Sequence, residues 1–165
     1  MFKTIEVVHD SDTSRRDFCR QACQAASLAA LGALLPGCGG SSPTGPSGTG
    51  APALPVVSSG ISGGVFMLTV DGTSPLATVG NAVLVQASGR QFLVARTGAD
   101  TFQALTATCT HEACTVTGYT SQTYVCPCHG SRYNTAGAVL SGPAPRSLTQ
   151  FASSFVGTTL TVTVS

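Results

Sequence analysis

Two short stretches hold four of the seven cysteines and two of the three histidines in this 165-residue chain. The first reads Cys109-Thr110-His111-Glu112-Ala113-Cys114, and the second Cys126-Pro127-Cys128-His129-Gly130-Ser131. As spacings this is C-x-H-x-x-C, an 11-residue gap, then C-P-C-H-G-S. Thiolate sulfur and imidazole nitrogen are ligands for zinc and iron above all. Two cysteines and two histidines suffice for a closed tetrahedral zinc site. That assignment leaves two cysteines and the residues after His129 without a role. No Ser-His-Asp arrangement, phosphate loop or paired-carboxylate site stands out, so substrate turnover by this chain alone is not expected.

The elements that carry these stretches read as short strands. Candidates lie at 65–70, 82–87, 91–96, 102–108, 124–126, 148–155 and 159–164, rich in Val, Leu, Thr and Phe. Ala87-Ser88-Gly89-Arg90 and Gly98-Ala99-Asp100 mark turns between them. No segment past residue 40 has convincing helical periodicity. The expectation is an all-β fold, a sandwich of small antiparallel sheets, with an excursion over about 108–145 that carries most of the folded domain's Cys, His and Pro. Eight basic residues against seven acidic ones give a net charge of +1. That balance excludes an electrostatic footprint for nucleic acid or for an anionic membrane surface.

The front of the chain reads as an address. Ser14-Arg15-Arg16-Asp17-Phe18-Cys19-Arg20 is similar to a twin-arginine export signal, and an apolar run follows at 22–35. Its 14 residues fall short of the roughly 20 needed to span a bilayer and suit a signal-peptide core. Leu35-Pro36-Gly37-Cys38 resembles a lipobox, with Cys38 the candidate for acylation and a lipid anchor; the alternative is an unmodified thiol beside an ordinary cleavage site. Residues 39–58 are dominated by Gly, Ser, Pro, Thr and Ala and read as a flexible linker. This division assigns 1–38 to the signal, 39–58 to the linker and 59–165 to one folded domain.

The two ligand stretches, continued by Ser131-Arg132-Tyr133-Asn134 and Gly142-Pro143-Ala144-Pro145, closely resemble the Rieske family, its cytochrome bc and cytochrome bf members most of all. The resemblance implies one 2Fe-2S cluster per chain in a Rieske-like β fold with a cluster-binding subdomain. Carried over position by position, Cys109 and Cys126 hold one iron, and His111 and His129 hold the other. It further implies a Cys114–Cys128 disulfide between the two loops, which an oxidising compartment would preserve. Ser131 and Tyr133 take the places of two hydroxyl donors that stabilise the reduced cluster. Gly142, Pro143, Ala144 and Pro145 match the loop that shields the cluster from water. A protein that acquires its cluster in the cytoplasm must be exported folded, which the twin-arginine route permits.

Two departures shape the functional expectation. The family's quinol-oxidising subunits usually have Leu directly after the first histidine, where this chain has Glu112, and they usually carry a full membrane helix. The expected function is therefore electron transfer by a stand-alone carrier, periplasmic or attached to the outer face of the membrane. Its partners would be a c-type cytochrome or a membrane redox complex, with quinol a further candidate. The alternative is the Rieske subunit of a larger oxidoreductase, either a quinol–cytochrome c reductase or an enzyme resembling arsenite oxidase.

Overall fold

The computed structural model describes residues 50–165, which form eleven strands. In chain order these are β1 (Val56–Ser59), β2 (Val65–Thr69), β3 (Ala82–Ala87), β4 (Arg90–Arg96), β5 (Phe102–Thr106), β6 (Gly118–Thr120), β7 (Thr123–Val125), β8 (Arg132–Asn134), β9 (Val139–Ser141), β10 (Gln150–Val156) and β11 (Thr159–Thr163). The arginine pair Arg15 and Arg16, the apolar run 22–35, Cys38 and residues 39–49 lie outside the described residues. Among the described residues no helix is long and apolar enough to cross a membrane.

Seven strands form one sheet in the order β1-β3-β4-β5-β10-β11-β2, and β6-β7-β8-β9 form a second. All pairings are antiparallel except β1 with β3, which is parallel. β3, β4 and β5 are apolar on both faces because both are covered. Ala82, Leu84, Leu93, Ala95 and Leu105 face a core shared with Val116, Tyr124 and Tyr133. Their alternates Val83, Val85, Phe92, Val94 and Ala104 face a second core with Phe66, Leu68, Leu160 and Val162. β2 and β11 instead have one covered face, and their burial alternates residue by residue. The large sheet thus curls over one core and carries the small sheet on its outer face. The turn between β3 and β4 uses Ser88 at φ 46° and Gly89 at φ 78°, the two-residue form that suits strand twist.

The fold begins earlier than composition suggests. Residues 50–58, placed in the linker by their Gly, Ser, Pro and Ala content, are part of the structure. Ala51 and Leu54 are buried. The Leu54 amide donates to Thr117 O, the Tyr119 amide to Pro52 O and the Leu84 amide to Pro55 O. These bonds strap the segment across β6 and onto β3 before β1 starts. Two apolar side chains and three backbone bonds decide the boundary, and composition registers neither.

Candidate metal centre

The small sheet exists to hold two loops. One, residues 109–114, lies between β5 and β6; the other, residues 126–131, joins β7 to β8. They share one backbone design. In the first, the Cys109 amide donates to Cys114 O at 2.8 Å and the Ala113 amide to Cys109 O at 3.0 Å. In the second, the Cys126 amide donates to Ser131 O at 2.9 Å and the Gly130 amide to Cys126 O at 3.0 Å. The fifth residue of each has positive φ, Ala113 at 57° and Gly130 at 73°. Each loop is thus a closed six-residue ring with a cysteine at its root, and the histidines ride on the bends.

The donors sort by depth. Cys109 and Cys126 are buried free thiols, 2% and 1% exposed. His111 is half-buried and His129 exposed, with ring centroids 4.8 Å apart and the planes nearly perpendicular. Cys114 and Cys128 form a disulfide that ties the two loops together, as expected. That bond removes both from any ligand set, although their sulfurs lie within 4.8 Å of Cys126. Thr115 Oγ1 donates to Gln91 Oε1 at 2.7 Å and fastens the first loop's exit to β4.

Whether these residues suit a cluster can be judged from what lacks a partner. His111 Nδ1 is buried and has no hydrogen-bond partner, a state that costs desolvation unless something binds it. Two buried cysteines, Cys109 and Cys126, are left out of the neighbouring disulfide. One buried hydroxyl, Ser131, accepts from the Ala144 amide at 3.2 Å, and its own proton finds no protein acceptor among the described residues. Inward-facing sulfur, a nitrogen without a partner and a spare donor fit a group of two irons and bridging sulfides better than a single ion.

The electrostatics of the two thiols differ. Burial pushes Cys109 up, but the Tyr133 hydroxyl, the backbone amides of His111 and Glu112 and the neighbouring Cys126 outweigh it and hold Cys109 below its ordinary value. Burial pushes Cys126 up, and Cys109 beside it adds to the push against the amides of Cys128 and His129. Tyr133 is raised by its own burial and by Cys109. Its hydroxyl lies 3.2 Å from Cys109 Sγ and accepts the Thr110 amide at 3.3 Å.

A third loop closes against the second. Gly142 has φ 97°, and a Cβ there would sit 2.5 Å from Ser131 Cα. Only glycine allows this approach, which brings Ala144 under Ser131. Pro143 and Pro145 remain exposed on either side of the buried Ala144. Thr110 Oγ1 donates to Arg146 O at 2.6 Å and latches the first loop to the third. Motif reading passes over Thr110, because its partner is 36 residues away and is a backbone carbonyl. Glu112 stands at the exposed edge, 3.6 Å from His129 Nδ1.

Comparison with known proteins agrees with this geometry. The family model described as Rieske [2Fe-2S] domain matches residues 68–152. The cytochrome b6-f complex iron-sulfur subunit 2 of Synechocystis sp. is 37% identical over 106 residues, 58% of this chain and 59% of that protein. The cytochrome b6-f complex iron-sulfur subunit of Synechococcus elongatus is 51% identical over 45 residues, 27% of this chain and 25% of its own length. The chain therefore spans a quarter to three-fifths of the length of these relatives. Among solved structures, the plasma membrane Rieske protein of Synechocystis is 30% identical with TM-score 0.49, covering 58% of this chain and 97% of that one. Naphthalene 1,2-dioxygenase shares the fold at TM-score 0.50 and 16% identity, over 60% of this chain and 26% of that one.

Proposed function

The chain belongs to the Rieske [2Fe-2S] family, and from that premise we propose that it is an exported electron carrier. Cys109 and Cys126 hold one iron of its cluster, and His111 and His129 hold the other. A cluster held this way supplies a one-electron couple at roughly −150 to +300 mV, against about −400 mV for all-cysteine plant-type ferredoxins. The observation that carries the reading is the sorting of donors by depth, with thiols at 1–2% exposure, His111 half-buried and His129 exposed.

The protein's own groups then have distinct tasks. The Tyr133 hydroxyl is the donor to Cys109 Sγ once that sulfur is a ligand thiolate, and Ser131 keeps a proton that no described protein group accepts. Both favour the more negative, reduced state. Gly142, Pro143, Ala144 and Pro145 exclude water from the sulfur side, and Thr110 keeps that cover latched. The Cys114–Cys128 disulfide holds the two rings in register. The imidazole edges are the exit toward a partner, a c-type cytochrome or a membrane redox complex.

The reading is tested by an electron paramagnetic resonance spectrum of the dithionite-reduced protein. An anisotropic 2Fe-2S signal with nitrogen hyperfine coupling is expected. A colourless protein after anaerobic reconstitution with iron and sulfide overturns it. Export and anchoring are separate readings. The arginine pair and apolar run support periplasmic delivery, tested by cell fractionation. Cys38 acylation would place the domain on the outer side of the membrane, and an intact mass without diacylglycerol excludes it. A second reading, a subunit of a larger oxidoreductase with access to quinol, is favoured by the likeness to cytochrome b6-f complex subunits. Co-purification with other redox subunits would support it.

A further inference from the structure

An electron leaves a buried centre by the shortest path to the surface, because tunnelling falls steeply with distance. Here that path ends at the imidazoles, since both thiols are buried. Whatever exchanges electrons with this protein must therefore approach the edge formed by His111 and His129. Glu112 stands on that edge, with its side chain 60% exposed and its carboxylate 3.6 Å from the His129 ring, itself 47% exposed. Apart from the histidines, it is the one side chain with a formal charge in either ligand ring, residues 109–114 and 126–131. The nearest arginines in the chain, Arg132 and Arg146, belong to β8 and to the end of the third loop.

We propose that Glu112 selects the redox partner by charge, so that the histidine edge receives a protein with a cationic surface around its own redox centre, of the type of a basic c-type cytochrome. This rests on the electron-transfer reading above. A wholly apolar partner surface would have to strip water from the carboxylate without replacing it, which is unfavourable. An acidic partner would be repelled at the point of closest approach. A cationic rim meets neither obstacle, and its lysines or arginines can pair with Glu112 while the imidazole stays in contact. Charges at such an edge act mainly on association rate and salt dependence. Exposed charges are largely screened beyond about 10 Å at 0.1 M salt, so the effect must fade as salt rises.

The test follows electron transfer from the reduced, cluster-loaded protein to two c-type cytochromes of similar potential, one basic and one acidic, by stopped flow. Wild-type protein is expected to prefer the basic cytochrome about tenfold at low salt, with the preference collapsing in about 0.5 M salt. Glu112→Gln should lose several-fold of that rate, and Glu112→Lys should reverse the preference. Arg132→Gln should not reproduce the loss. Midpoint potentials of each variant separate changes in driving force from changes in docking. Equilibrium binding of oxidised cytochrome to oxidised protein, in which no electron moves, should follow the same order. The wild-type preference and its salt dependence need no variant, so poor cluster loading of a variant leaves the test intact. Equal rates with both cytochromes, or a preference indifferent to salt, overturn the inference alone. Failure to reduce either cytochrome overturns the electron-transfer reading and this inference with it.

Discussion

Replacing Tyr133 by Phe should lower the midpoint potential by an amount that can be worked from the site. The side chain is fully buried, and its hydroxyl lies 3.2 Å from Cys109 Sγ. Phe keeps the ring and its packing and deletes only the hydroxyl. A hydrogen bond to a charged group contributes about 1.5–3 kcal/mol. It is present in both oxidation states, so only its excess strength with the more negative, reduced site moves the potential. If the excess is about half of the whole, roughly 0.75–1.5 kcal/mol, and a tenfold change is 59 mV for one electron, the midpoint falls by about 30–65 mV. The Thr110 amide loses its acceptor at the same time, which costs stability but has no preferred oxidation state. Protein-film voltammetry gives the shift, and the paramagnetic signal certifies that the cluster is loaded. A rise in potential, or a change below about 10 mV on that scale, refutes the assignment of the Tyr133 hydroxyl to a ligand sulfur.

Gly142→Ala should cost at least about 2 kcal/mol, since positive φ alone penalises an L-residue by about 1–2 kcal/mol and the new Cβ would lie 2.5 Å from Ser131 Cα. Thermal bleaching of the visible absorption, which reports loss of the third loop's cover, should come at lower temperature. Tyr124→Phe should be neutral or stabilising by up to about 1 kcal/mol, because the Tyr124 hydroxyl is buried without a partner. Burial, and then the neighbouring Tyr119, hold this phenol well above its ordinary value. The folded state keeps the proton that the unfolded chain releases near pH 10, so the wild-type protein loses stability as pH rises past about 10. Denaturant unfolding at rising pH should show a shallower alkaline loss in Tyr124→Phe, and parallel curves would disprove the linkage. Arg96→Met should lower the urea midpoint by the equivalent of about 2 kcal/mol with an unchanged slope. Arg96 donates to Leu76 O, Ala77 O, Gly98 O and Ala99 O and lies over the Phe102 ring at 5.5 Å, joining the loop after β2 to the loop after β4.

Much of the fold was legible in the chain, and what was not has a common cause. The strands with long apolar runs or clean alternation, β2, β3, β4, β5, β10 and β11, lie close to where patterning puts them, with ends shifted by a residue or two. β5 ends at Thr106 rather than 108: the Ala107 amide still reaches Gln91 O, but the Ala107 carbonyl accepts the Val116 amide instead as the chain departs for the ligand loops. β6, β8 and β9 are too short at three residues to show a period, and β7, of the same length, is marked only by the apolar run at 124–126. The turn joining β6 to β7 has Ser121 and Gln122 at positive φ without any glycine to announce it. β1 was hidden in composition that reads as linker, and its parallel pairing with β3 has no local signature.

The candidate site divides along the same line. A metal centre announces itself locally, because coordination chemistry demands particular atoms and each six-residue ring carries its own cysteine and histidine, although the small sheet and the disulfide must bring the two rings together. Family resemblance carried that reading on to the cluster type and to the Cys114–Cys128 pairing. Folding alone settled which groups end up without partners. Only the fold leaves His111 Nδ1 unpaired, sets Thr110 against Arg146 and brings Gly142 onto Ser131. Those relations join residues up to 36 positions apart, and their strength depends on burial, a quantity that exists only after the sheets have closed.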